Sequence, residues 1–261
     1  MRLALVTEYD GTNFSGFQKQ KNAISIQESI ENALKEVTKK DISINYAGRT
    51  DAGVHALCQV FDFETQIDRD HKNWIDGINS NLPDSILVKA ITNVTDDFHS
   101  RFSALDRSYT YVIYNSKTKP LFFDKMVHWD DNLINFEVMK EQASMFLGSH
   151  DFTSFRSSRC SSRNPVKEIK SIEVSKKNNF IFITIRANAF LHNMVRIMAG
   201  TLVDIAKGEI DSSIEDILLK MDRASAGKTA SAKGLFFLGP KYESQFNIPS
   251  PIMNVMDKFK S

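Results

Sequence analysis

Between Gly48 and Gly53 the chain reads Gly-Arg-Thr-Asp-Ala-Gly, with His55 just beyond. The flanking glycines admit backbone angles that other residues avoid and leave room for a ligand to come close. The stretch can therefore present Asp51 to a cleft instead of hiding it in a sheet. Arg49, two positions earlier, can pair with that carboxylate, keep it ionised and narrow its rotamers. No second acid is obvious in the segment, so the set suits a nucleophile or a one-residue base and not a two-carboxylate hydrolase. Aspartate beside glycine more often tightens a turn, and a histidine such as His55 is more often a satisfied strand residue than a base. The chain has no phosphate-binding loop, dinucleotide fingerprint, nucleophile elbow or zinc-protease helix pattern.

A second chemical feature is basic. From Asp151 to Lys170 the residues Arg156, Arg159, Arg163, Lys167 and Lys170 stand against Asp151 and Glu168, with serines between them and phenylalanines beside them. Guanidinium and ammonium groups displace counterions while hydroxyls donate to phosphate oxygens, so such a segment can track a phosphate backbone; most charge runs, however, are solvated loops. The whole chain is nearly neutral, with 33 basic and 32 acidic residues in 261. At 42% hydrophobic and 25% charged it has the composition of a folded globular protein. Cys58 and Cys160 offer neither a disulfide framework nor metal-ligand spacing. Apolar runs are far shorter than the ~20 residues that span a bilayer, and the opening residues lack a leader pattern, so a cytoplasmic protein with no metal is expected.

These residues need elements to hold them. "LALVTEYDG" reads as a strand ending at Asp10-Gly11. Ser25 to Glu28 fits a capping box before a helix with Ile26, Ile30, Ala33, Leu34 and Val37 on one face. "ISINYAG" reads as a strand, followed by the 48 to 54 loop and "HALCQVFDFET", a strand with Leu57, Phe61 and Phe63 on one side. A helix around Trp74, Ile75 and Ile78, closed by Asn81 to Pro83, and the strand "ILVKAITNV" complete a β-α-β-β-α-β series. The pattern then begins again. "RSYTYVIYN" predicts a strand and Phe136 to Leu147 a helix. After the basic loop, "VKEIKSIEVSKK" and "FIFITIRAN" predict paired strands joined at Asn178-Asn179. "FLHNMVRIMAGTLVDIAKG" is the longest helical pattern, with Gly208 at its C-terminal end; a helix at Ser213 to Met221 and a strand at "GLFFLG" follow. The expected fold is α+β: two similar α/β halves, 1–105 and 106–261, with mostly antiparallel sheets.

With those elements in place, "GRTDAGVHA" resembles the catalytic loop of the TruA-type tRNA pseudouridine synthases. "YDGTNFSGFQKQ", "FHSRFSALDRSYTYVIYN", the long "FLHNMVRIMAGTLVDIAKG" and "GLFFLG" resemble further signatures of that family, in its order and over most of the chain. The resemblance implies the pseudouridine synthase fold and isomerisation of uridine in RNA without a cofactor. It implies that Asp51 is the catalytic aspartate, that Tyr109 stacks on the target base near the proton chemistry at C5, and that Arg196 pairs with the catalytic carboxylate across a cleft between the halves. Arg49 would contact RNA or support the flipped nucleotide, Arg101 would touch RNA, and Arg156, Arg159 and Arg163 would lie in a segment over it. The implied substrate is the tRNA anticodon stem-loop at uridines thirty-eight to forty, and the implied assembly is a homodimer. Attack at C1′, addition at C6 and a glycal route all remain open to Asp51.

Overall fold

β1 (Arg2–Tyr9) is the central strand of the first of two compact units, Met1–Asp106 with the C-terminal segment from Phe237; the second is Arg107–Phe236. The structure, a computed structural model, describes residues 1–158, 160–249 and 255. In the first unit β1 pairs antiparallel with both β3 (His55–Glu64) and β4 (Ile86–Val94), and β2, only Asn45–Tyr46, adds to β3. α1 (Ile26–Thr38) begins where Ser25, in extended geometry, accepts the Glu28 N–H on its side chain, and stops where Lys39 turns left-handed at φ 57°. Its apolar face, Ile26, Ile30, Ala33 and Leu34, is buried, each large side chain contributing about 1.5–3 kcal/mol. α2 (His71–Asn79) buries Trp74 edge-on against Phe63, with ring centroids 5.7 Å apart. β3 is buried from His55 to Phe63 on both faces, so the Leu57, Phe61 and Phe63 side is one of two covered sides. Burial also pushes the Cys58 thiol up to about 11, which leaves it a packing residue.

Buried Asp62 organises one end of this unit. Its Oδ2 accepts from Arg2 Nη1 at 2.8 Å and Asn45 Nδ2 at 3.0 Å, and its Oδ1 from the Ser100 N–H at 2.8 Å. Three donors to one carboxylate offset the cost of removing it from water.

The second unit runs β5 (Asp106–Asn115), β6 (His128–Asp130), α3 (Phe136–Ser144), β7 (Gly148–Asp151), β8 (Val166–Lys177), β9 (Phe180–Ala187), α4 (Met194–Ala206) and α5 (Ile214–Lys220). Its sheet has the order β5-β9-β8-β7, with β6 parallel on β5 and the other registered pairs antiparallel. The β8 to β9 turn is Asn178-Asn179, Asn178 taking φ 52°, as a two-residue hairpin requires. α4 is buried over most of its length, in keeping with its apolar sequence. β10 (Leu235–Lys241) closes the series, and its residues from Phe237 pack with the first unit. Among the described residues, no helix is long and apolar enough to cross a membrane.

His128 supplies a pH test of the second unit. Burial holds its imidazole below the usual value, and Lys207 adds to that while Asp130 and Asp204 oppose it. A depressed folded pKa means that the unfolded chain takes the proton more readily. The contribution is present above about pH 6.5 and fades as pH falls. Between pH 7.5 and 5.5 the urea midpoint should drop more for the wild type than for His128→Gln; parallel curves would show that His128 is not the group responsible.

Candidate active site

The 48 to 54 loop is fastened from below by the segment that follows β1. Thr50 is buried, and its Oγ1 shares a 2.7 Å hydrogen bond with the Tyr9 hydroxyl while its carbonyl accepts the Phe17 N–H at 3.0 Å. Burial pushes Tyr9 well above the ordinary tyrosine value, against the hydrogen bonds from Thr50 and Gln59, so this support stays neutral. Gln59, also buried, donates from Nε2 to the Gly48 carbonyl at 2.7 Å. Gly11 lies so close that a Cβ there would sit 2.0 Å from the Val54 carbonyl oxygen. Gly53 takes φ 77°, a conformation that favours glycine, and the Val54 N–H closes the turn on the Asp51 carbonyl at 3.1 Å.

The Asp51 carbonyl thus takes part in tightening the turn. Its side chain is half-buried, and Arg49 is exposed, on either side of buried Thr50. Arg49 Nε lies 3.5 Å from the Tyr46 hydroxyl, the long limit of a hydrogen bond. His55 is a buried strand residue, its Nδ1 3.3 Å from the Gly11 nitrogen and 3.1 Å from Asp10 Oδ1.

In the second unit Tyr109, on β5, is 9% exposed and meets the Phe190 ring edge-on, with centroids 5.0 Å apart. Arg196 sits in the first turn of α4, which starts at Met194 and not at Phe190 because Asn193 takes φ 63°. Its Nε donates to the Ala230 carbonyl at 2.9 Å and its Nη1 to Asn193 Oδ1 at 3.0 Å, while the Ala230 N–H returns a bond to the Arg196 carbonyl at 3.1 Å. The 226–230 segment is strapped along α4: the Gly227 N–H donates to buried Thr201 Oγ1 at 2.9 Å. A Cβ on Gly200 would lie 1.9 Å from the Lys228 carbonyl oxygen. These contacts hold the guanidinium in place from two directions.

Of the basic segment, Arg156 is half-buried after a short 3-10 turn and Arg163 is exposed; Arg159 lies outside the described residues. Lys167 turns inward, donating to the Asn164 and Val166 carbonyls at 2.6 and 2.9 Å. Arg101 lies exposed beside Phe102. Sequence reasoning did not single out Gln59, Phe190 or Asn193 as supports. A buried glutamine inside an apolar strand is the one signal that marked any of them, since a buried amide needs a partner.

Residues 5–103 and 142–243 match the family model described as tRNA pseudouridine synthase. The chain belongs to that family. tRNA pseudouridine synthase A of Photobacterium profundum is 43% identical over 251 residues, covering 96% of this chain and 96% of its own. The enzyme of the same name from Hydrogenovibrio crunogenus is 40% identical over 255 residues, covering 97% of each chain. That from Shigella boydii serotype 4 is 41% identical over 253 residues, covering 97% of this chain and 94% of its own. In this pseudouridine synthase, Arg49, Asp51 and Arg101 fall in the first matched segment and Arg156, Arg163 and Arg196 in the second. Tyr109 lies between the two segments.

Proposed function

We propose that this enzyme converts uridine to pseudouridine in the anticodon stem-loop of tRNA, at positions thirty-eight to forty, without a cofactor. The observation that carries the reading is the near full-length similarity to enzymes named tRNA pseudouridine synthase A. The rigidly mounted loop that leaves the Asp51 side chain half-buried at its tip is consistent with it.

The reaction breaks the N1 to C1′ bond of a uridine, turns the uracil and joins C5 to C1′; C5 gives up its proton to solvent and N1 takes one. Asp51 is assigned the step that loosens the glycosidic bond, by attack at C1′, addition at C6 or removal of a C2′ proton. A base stacked in a stem is out of reach of a side chain and has to be extruded, at about a few kcal/mol. Tyr109 is assigned to hold it, worth about 1–3 kcal/mol by stacking. Arg196 is assigned the counter-charge of the reacting carboxylate. Arg49, Arg101, Arg156, Arg159 and Arg163 are assigned to RNA contact. The enzyme is assigned to the cytoplasm and to a homodimer; the exposed apolar side chains Leu121, Phe122 and Leu133, 82%, 90% and 85% accessible, favour the association between copies.

The test is tritium release from C5-labelled uridine in tRNA transcripts, with the modified positions mapped. Release at the three anticodon-arm positions is expected; free uracil or no release would overturn the reading. In the same assay Tyr109→Phe, which keeps the ring, should lower turnover more than affinity, and Tyr109→Leu should lower both. Equal activity in all three forms would remove Tyr109 from the site.

A further inference from the structure

The first unit also carries an aromatic ring presented to solvent on a rigid mount. Phe102 is 74% exposed. Single exposed apolar residues are ordinary on protein surfaces. This one differs in its neighbours and in what lies beneath it. The Arg101 guanidinium carbon lies 5.5 Å from the ring centroid, and the His99 ring lies 4.4 Å away at a 52° tilt.

Below the tip the chain is pinned at several points. Phe98 is fully buried between Tyr242 and Phe246, with centroids 5.1 and 5.0 Å away. Its carbonyl accepts from Arg2 Nη1 at 3.0 Å. The Ser100 N–H donates to buried Asp62 at 2.8 Å, and the Ser100 carbonyl accepts the Tyr242 hydroxyl at 2.6 Å. The turn closes on itself through His99 N–H to Ser103 Oγ at 3.0 Å and Ser103 N–H to the His99 carbonyl at 2.9 Å. None of these bonds uses the Phe102 side chain. The ring is held in place without contributing to what holds it.

We propose that Phe102, flanked by Arg101 and His99, is a stacking platform for an unpaired nucleobase of the RNA substrate other than the uridine being isomerised, with Arg101 meeting the adjoining phosphate. The proposal rests on the RNA-modifying reading above. A base has a flat π-face that an exposed phenyl ring matches whatever its identity, and a neighbouring guanidinium adds cation–π and phosphate attraction. Because the mount is already ordered, little conformational freedom is lost when the base arrives.

The experiment uses a fluorescein-labelled anticodon stem-loop RNA and a series in which each unpaired loop nucleotide in turn is abasic, with affinity read by anisotropy. Phe102→Ala and Phe102→Leu should bind the intact RNA about tenfold or more weakly, and Phe102→Trp should restore binding. One abasic position should weaken the wild type by a similar factor and leave Phe102→Ala unchanged; that coupling identifies the stacked base. Binding by Phe102→Ala within about twofold of the wild type, or equal losses at every abasic position, overturns the platform. So does a Phe102→Ala protein that sediments as a smaller species, which would make the ring an interface between copies. Circular dichroism should show all variants folded, since the mount leaves the ring out. Tritium release by the wild type separates the two failures: if it occurs without coupling, the platform alone falls; if it does not occur, the functional reading falls with it.

Discussion

Asp51→Ala should bind tRNA and make no pseudouridine. The loss expected in turnover is at least about 10⁴-fold, the scale seen when a reacting group is removed and binding is left intact. Asp51→Asn, which keeps the shape and discards the charge, should be as inactive. Both variants should fold, because the bonds that close the loop use the Asp51 carbonyl, the Thr50 hydroxyl and the Gly48 carbonyl. Single-turnover tritium release with a parallel filter-binding titration separates the outcomes. Weakened binding, with the bound fraction turning over at the wild-type rate, would take Asp51 out of the chemistry.

Gly200→Ala should cost more than its one methyl group suggests. The new Cβ would lie 1.9 Å from the Lys228 carbonyl oxygen and 3.2 Å from the Ala230 nitrogen, both backbone atoms that move only with their segment. Overpacking of this kind costs about 1–3 kcal/mol, occasionally more. The displaced strap includes Ala230, which both accepts from Arg196 and donates to it. A fall in Tm of roughly 2–12 °C is expected, together with reduced turnover and a smaller change in tRNA affinity. Gly208→Ala is the control: at φ 73° an alanine is strained, yet no atom lies within 4 Å, so about 1 kcal/mol is expected and turnover should hold. Gly200→Ala behaving like Gly208→Ala would show that the strap does not govern Arg196.

What is legible in the sequence follows from how local its causes are. The β8 to β9 hairpin is readable because alternation and an Asn-Asn turn specify it within a few residues, and α5 because Ser213 and Asp216 complete a reciprocal capping box. At α1 the same pattern holds in its Ser25 half. β2 shrinks to Asn45–Tyr46 although "ISINYAG" reads as a longer strand. Asn45 spends its amide on Asp62, a choice that depends on residues far along the chain. β6 and β7, of three and four residues, carry too little pattern to be seen before their partners are placed. The helical pattern at α4 starts too early because apolar spacing does not reveal the left-handed Asn193.

The candidate site divides in the same way. Residue types and flanking glycines make Asp51 and Arg49 visible, and the family resemblance, not spacing, singles out Tyr109 and Arg196. Their supports are hidden, because Gln59 to Gly48, Tyr9 to Thr50 and Ala230 to Arg196 each join distant positions. Counting charges in the basic segment also overstates it, since Lys167 spends its ammonium on neighbouring carbonyls.

The late arrival of β10 sets an order of events during synthesis. The Phe237 ring contacts Gly48, at 3.8 Å from where a Cβ would be, so the floor under the 48 to 54 loop is finished by a segment the ribosome makes long after the loop itself. A nascent chain therefore carries Asp51 for most of translation on an unfinished base. The loop gains its full support only once that strand slots in.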